Sequence, residues 1–259
     1  MAIKLKSERE IRLMRQAGTV VDRVLERLGQ RIAPGVTTAE LDAEAQQLTE
    51  QMGAEALFKG VPGPGGPFPG TICASINEQV VHGIPSDRAI RRGDIVSIDY
   101  GCRVDGYCAD AAATFVADEA APQVRKLVSV TQRMLETAIE LARPGLLWSE
   151  IAAVMQKYVE GEGFSVIREF VGHGIGKEMH EDPKVPNFVS NELRARDVLL
   201  EEGLVIAVEP MVAMGSADVV VENDGWTVVT KDGKPSAHFE HTLAITADGV
   251  QVLTEGTED

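Results

Sequence analysis

Cysteine is scarce in this chain. Cys73, Cys102 and Cys108 are three residues, too few and odd in number for a disulfide framework, and the last two lack the spacing of a zinc knuckle. Small buried thiols in a reducing compartment are expected. Basic residues are also in deficit: 25 Lys and Arg against 40 Asp and Glu leave a formal charge of −15. Binding nucleic acid through its phosphates needs a basic footprint, so no direct nucleic-acid partner is expected. No run approaches the roughly 18 apolar residues of a membrane span. The N-terminal stretch MAIKLKSEREIRLMRQAG is charged and amphipathic, without the apolar core of a signal peptide. The cytoplasm, without membrane attachment, is the expected location.

What is present is ordinary globular material: 259 residues, 44% hydrophobic, enough for one large domain with a sizeable core. Ile11, Met14, Val20, Val21, Leu25 and Leu28 recur at helical spacing over 7–31, and Ser7 with Glu10 forms a capping-box pattern. Pro34-Gly35 stops this helix, and Thr38 is placed to cap a second over 39–53. A Gly/Pro-rich loop follows at 61–70, then strand-like runs with a turn near Asp105-Gly106, and further helices are expected at 121–143 and 147–162.

The second half echoes the first at an offset of 110 residues. Leu25-Glu26 matches Leu135-Glu136, Pro34-Gly35 matches Pro144-Gly145, Glu40 matches Glu150, Gly53 matches Gly163, and the run Gly93–Asp99 matches Gly203–Glu209. The expectation is a single catalytic domain, 1–259, made of two pseudo-symmetric α+β halves, about 7–118 and 119–253, around a central antiparallel sheet and one shared site.

Asp99 and Glu209 occupy the same point of this repeat, each ending an apolar run. A buried ionised carboxylate costs several kcal/mol unless it is compensated. Asp110 lies beyond the turn and is expected face to face with Asp99 on the adjacent strand. Glu240 lies in another apolar-flanked strand. His173 sits in Gly-His-Gly-Ile-Gly, where glycines leave the imidazole unobstructed. That segment is not a phosphate loop, because Val171 and Glu178 stand where Gly and Ser/Thr are required. Four carboxylates and one imidazole suit Mn, Fe, Co or Zn in a catalytic rather than a structural site, and bridging carboxylates permit two ions. His-Gly-Ile recurs at His82, and His180 lies seven residues beyond His173. His238 and His241 are expected to point away from Glu240, since strand neighbours alternate faces.

The segments Asn77-Glu-Gln-Val-Val-His82-Gly-Ile-Pro, Ile98-Asp99-Tyr with Ala109-Asp110, Gly172-His173-Gly-Ile-Gly, Val208-Glu209-Pro210 and Phe239-Glu240-His241-Thr242 together resemble the type I methionine aminopeptidases, of peptidase family M24 and the pita-bread (creatinase/aminopeptidase) fold. The resemblance runs from about residue 4 to residue 253. It implies a hydrolase with two divalent metal ions (Co, Mn, Fe or Zn) that removes the initiator methionine from nascent polypeptides, near the ribosome, as a monomer, and prefers a small second residue. It further implies that Asp99 holds one metal, that Asp110 and Glu240 bridge both, and that His173 and Glu209 complete the second site. By the same resemblance Glu209 shuttles a proton, while His82 and His180 bind the scissile amide. Phe68, Cys73, His82 and Trp226 match the pocket for the methionine side chain. Met179 replaces a usual aromatic residue, and the loop 61–70 replaces a Gly-Tyr-His-Gly-Tyr pattern, so one aromatic wall must be missing or supplied differently. With Glu209 only 29 positions beyond His180 there is no room for the type II insertion. The alternatives are a Xaa-Pro aminopeptidase or prolidase of the same fold, and a non-catalytic pita-bread binding module.

Overall fold

The computed structural model describes residues 3–256. The first helix, α1 (Glu8–Arg31), begins at the expected capping box: the Ser7 hydroxyl accepts from the Glu10 N–H, and the Glu10 carboxylate accepts from the Ser7 N–H at 2.9 Å. Its stripe of Ile11, Met14, Val21, Val24, Leu25 and Leu28 is buried. The second helix, α2 (Thr38–Gln51), starts one residue earlier than the sequence suggests, and Thr37 rather than Thr38 caps it, with Glu40 accepting from the Thr37 N–H at 2.7 Å. The hydroxyl of Thr38 instead donates to the Ser86 carbonyl at 3.1 Å.

Five strands follow: β1 (Glu55–Ala56), β2 (Cys73–Ile76), β3 (Gln79–Val81), β4 (Ile95–Val104) and β5 (Tyr107–Val116). A second helix pair, α3 (Pro122–Leu141) and α4 (Trp148–Gly161), precedes β6 (Ser165–Val166), β7 (Gly172–Gly174), β8 (Glu181–Val185), the short α5 (Asn191–Ala195) and β9 (Val205–Val208). The chain continues with β10 (Met211–Ala213), β11 (Val219–Val221), β12 (Val228–Thr230), β13 (Ser236–His238), β14 (His241–Thr246) and β15 (Gly249–Val252).

Every strand pair is antiparallel. The sheets run β1-β4-β2 with β5 on β4, β13-β10-β6, β11-β12-β3, and β15-β14-β9-β7-β8. The β4–β5 hairpin turns at Asp105-Gly106, whose φ values of +49° and +80° suit the tight turn that Asp-Gly favours. Ala74, Ile76, Val96, Ile98 and Ala111 pack with α1 and α2 in one apolar core, and Val166, Ile206, Val208, Val212 and Leu243 pack with α3 and α4 in another. A backbone bridge crosses between them: the Glu240 N–H donates to the Ala112 carbonyl at 2.8 Å.

The 110-residue offset reappears in the elements. It relates the bounds of α2 to those of α4 and of β1 to those of β6. It also relates the left-handed glycines Gly35 and Gly145, Gly53 and Gly163, and Gly93 and Gly203. Among the described residues, no helix is long and apolar enough to cross a membrane. All three cysteines are free and buried.

Candidate metal centre and its pocket

Asp99 sits mid-strand on β4, paired with Ala112 on one side and Cys73 on the other. Asp110, on β5, pairs with Gly101 rather than with Asp99. The two aspartates are therefore diagonal neighbours, not face to face. An eleven-residue spacing would set them opposite only across a turn centred midway, and the Asp105-Gly106 turn shifts the register by two. The backbone of Asp110 is locked by Thr242, whose hydroxyl accepts from the Asp110 N–H at 3.0 Å and donates to its carbonyl at 2.8 Å.

His173 lies on β7. Its Nδ1 lies 3.0 Å from the Gly174 carbonyl, which accepts only if Nδ1 carries the proton, so Nε2 offers its lone pair toward the carboxylates. The glycines around it make room for protein rather than for a ligand: a Cβ at Gly172 would lie 2.3 Å from the Ala207 carbonyl oxygen, and one at Gly174 2.2 Å from that of Asp182. Glu209 follows β9, and its Oε1 is 3.6 Å from His173 Nε2. Glu240 sits between β13 and β14. One ligand atom from each of Asp110, His173 and Glu240 lies within 4.8 Å of the others.

Asp99 Oδ1, Asp110 Oδ1 and Glu240 Oε1 are buried with no hydrogen-bond partner. Burial, reinforced by Asp110 and Glu209, holds the Asp99 carboxyl well above its usual range. Burial pushes Asp110 up to about 7 and, with help from Asp110, pushes Glu209 up to about 8. Glu240 is raised too, by burial and then by its acidic neighbours. Burial and then His180 bring His173 down to about 4, so its imidazole is neutral. Hard oxygens without partners, mutual repulsion and a neutral imidazole are the donor set a divalent cation needs, so the residues fit a metal centre.

His238 departs from expectation. Two residues from Glu240 it shares that residue's face, and its Nε2 is 3.8 Å from Glu240 Oε2. Burial, then His82, lowers it to about 3, which keeps it neutral. His241, one residue away, does point elsewhere, with Nδ1 2.9 Å from the Thr254 hydroxyl.

Above the carboxylates opens a pocket of about 560 Å3 that the structure lines with Phe68, Cys73, His82, Met179, His180 and Trp226. The rings of His173 and His180 are 4.3 Å apart, and the exposed His180 stands at the mouth. His82 adopts φ +58°, a left-handed conformation uncommon for a residue with a side chain. Its ring meets Phe170 edge-on at 5.4 Å and Trp226 at 6.2 Å. Phe68 and Trp226 pack edge to face at 5.1 Å. The loop 61–70 is shaped around Trp226: the indole N–H donates to the Gly66 carbonyl at 3.0 Å, and a Cβ at Gly63 would lie 2.2 Å from the indole. Phe58 and Phe170 also line the pocket, aromatic walls that sequence reasoning missed. The only available signal was their position, Phe58 just before the unusual loop and Phe170 just before Gly-His-Gly.

Residues 12–247 match the profile of metallopeptidase family M24. The chain is 45% identical to methionine aminopeptidase 1 of Bacillus subtilis, over 96% of this chain and 98% of that one. It is 46% identical to the methionine aminopeptidase of Clostridium perfringens, over 97% and 98% of the two chains. The solved methionine aminopeptidase of Thermotoga maritima superposes with a TM-score of 0.93 at 39% identity, covering 98% of this chain and all of that one. The prolidase of Pyrococcus furiosus, 23% identical with a TM-score of 0.75, matches over 98% of this chain but 66% of its own, a likeness of fold alone. The architecture is the pita-bread fold that the motifs imply.

Proposed function

We propose that this chain, which belongs to metallopeptidase family M24 and within it to the methionine aminopeptidases, holds two divalent metal ions on Asp99, Asp110, His173, Glu209 and Glu240 and uses them to remove the initiator methionine. The observation that carries the assignment is the convergence of Asp110, His173 and Glu240, with unpartnered carboxylate oxygens, on the floor of an apolar and aromatic pocket. When bound there, divalent cations polarise a carbonyl and make water acidic enough to ionise near neutral pH.

The chain's own groups do the rest. Phe58, Phe68, Cys73, Met179 and Trp226 enclose a methionine side chain, which suits a pocket containing a flexible thioether of its own. Burial and proximity to His180 lower His82, and the partly desolvated ring of His180, exposed on one side only, is lowered as well, so both imidazoles are neutral donors near pH 7. They hold the scissile amide and stabilise charge developing on its oxygen. Glu209, on the pocket floor with its Oε1 3.6 Å from His173 Nε2, takes a proton from the attacking water and passes it to the leaving amine, bound cations favouring the ionised carboxylate that this needs. The preference for a small second residue comes with membership of the methionine aminopeptidases.

The reading extends to a cytoplasmic monomer that meets its substrates near the ribosome. It treats 1–259 as one catalytic domain whose halves, about 7–118 and 119–253, arose by duplication. The shared offset of helices, strands and left-handed glycines supports that origin.

Release of the N-terminal residue from Met-Ala-Ser and Ala-Pro-Ala, with added Mn(II) or Co(II) and with chelator, tests the function. Metal-dependent cleavage of the methionine peptide alone is expected. Cleavage of only the proline peptide would overturn the substrate, and cleavage of neither by metal-loaded protein would leave a binding module.

A further inference from the structure

Lys6 lies in the segment before α1, far in sequence from the pocket, and none of the chemistry above uses it. Its ammonium donates to Glu181 Oε2 at 2.7 Å, and both side chains are only 7% exposed. The other carboxylate oxygen, Oε1, accepts from the backbone N–H of Lys177 at 3.1 Å and of Glu178 at 3.4 Å. Lys6 is itself held from behind: its ammonium also donates to the Lys4 carbonyl at 2.7 Å, and its backbone N–H donates to the Gly203 carbonyl at 2.6 Å. A Cβ at Gly176 would lie 2.5 Å from Lys6 Cε and 2.7 Å from Glu181 Oε1, so the pair rests directly on the chain where it turns. On the inner side the Cys108 N–H donates to the Gly176 carbonyl at 2.7 Å.

The segment pinned in this way, 176–181, carries Met179 and His180 into the pocket. Its other anchors are few: the Lys177 carbonyl accepts from Arg103 at 3.4 Å and from the Cys108 thiol at 3.3 Å, and the Lys177 ammonium lies 5.6 Å from the centre of the Tyr107 ring, while Lys177, Glu178 and His180 are exposed and no helix or strand covers 176–180. An ion pair is a weak way to gain net stability, because burying two charges costs about as much as their attraction returns. It is a strong way to fix geometry, because one carboxylate satisfies an ammonium and two backbone donors at once. Removing the ammonium leaves a buried carboxylate uncompensated. That carboxylate gains by swinging out to water, and the two N–H groups it held are released.

We propose that Lys6 is a positioning residue for the reaction: through Glu181 it sets the 176–181 turn, and with it the placement of Met179 against the substrate side chain and of His180 against the scissile amide. This rests on the function proposed above. Displacements of about 1 Å at reacting groups can cost as much as 100-fold, so Lys6→Met should lower kcat/KM for Met-Ala-Ser by about 10- to 100-fold. The loss should appear in kcat as well as KM, with bound metal unchanged.

The test measures kcat, KM, metal content and Tm for wild type, Lys6→Met, Lys6→Arg and Glu181→Gln, with assays run well below each Tm. A fall in kcat at full metal content, largely restored by arginine, supports the proposal. Glu181→Gln, which keeps an acceptor and loses the charge, should fall the same way by less, and it serves if Lys6→Met does not fold. Wild-type kcat in Lys6→Met, or in Glu181→Gln where Lys6→Met does not fold, would overturn the proposal. So would a loss that arginine does not restore or that follows metal content alone. An inactive wild type would instead sink the proposed function.

Discussion

Gly101 faces Asp110 across the β4–β5 ladder, and a Cβ at position 101 would lie 3.0 Å from Asp110 Oδ1 and 3.1 Å from the ring of Phe58. The absent side chain therefore leaves the carboxylate room to turn into the site. Gly101→Ala should weaken metal binding by about tenfold or more, a typical cost of disturbing what orients a ligand. Calorimetric titration with Mn(II) measures it, and wild-type affinity would mean that the carboxylate yields without consequence.

Asp110→Ala and Glu240→Ala each remove a carboxylate at the meeting point of the cluster. Turnover of Met-Ala-Ser should drop to background, and wild-type rates in either variant would refute the two-metal assignment. Without metal both variants should melt at a higher temperature than wild type near pH 8, since a buried carboxyl that must either ionise without a partner or take up a proton on folding has gone.

The metal-free protein should lose stability as pH rises. Folded, Asp110 titrates at about 7 and Glu209 at about 8; unfolded, such groups titrate near 3.9 and 4.3. Between those limits the folded chain holds protons that the unfolded chain has released, so the stabilisation present below about pH 4 is lost by about pH 8. Bound cations favour the ionised carboxylates and should flatten that slope. Melting curves across this range, with chelator and with Mn(II), make the comparison. Identical slopes would argue against a preformed cation site.

His82→Ala and His180→Ala should each cut kcat by about 100- to 1,000-fold, the usual cost of losing one donor to a developing oxyanion. Metal content should stay at the wild-type level. A parallel loss of metal in His180→Ala would make that residue a ligand, which its 4.3 Å ring contact with His173 makes worth checking.

Phe68→Ala opens the wall that Phe68 shares with Trp226. KM for methionine peptides should rise by about 10- to 100-fold, with a smaller change in kcat. An unchanged KM would place the methionine side chain elsewhere.

The carboxylates were visible in the sequence because ionised side chains are conspicuous in runs such as Asp94-Ile-Val-Ser-Ile-Asp99 and Val205-Ile-Ala-Val-Glu209. The 110-residue offset was visible because Pro-Gly and lone Gly recur at matched positions, Pro34-Gly35 with Pro144-Gly145 and Gly53 with Gly163. What escaped were relations that depend on register and on contact across the fold. The turn at Asp105-Gly106 makes Asp99 and Asp110 diagonal. His238 faces Glu240 because residues two apart share a strand face, whereas only His241, one residue away, points elsewhere. Phe58 and Phe170 look like any core aromatic until the fold sets them around one cavity. Lys6 is one of many N-terminal basic residues until Glu181, 175 positions later, is found beside it.

The seam between the halves also bears on how the enzyme comes into being. Asp99 and Asp110 are supplied by one half, and His173, Glu209 and Glu240 by the other. A ribosome making this chain has released four of these five side chains by residue 209 and the last only at residue 240. On the proposed ligand set, a product broken off before that point lacks one of the five metal-binding side chains and is expected to be inert toward other proteins' N-termini, so the order of synthesis would itself guard against a half-made protease.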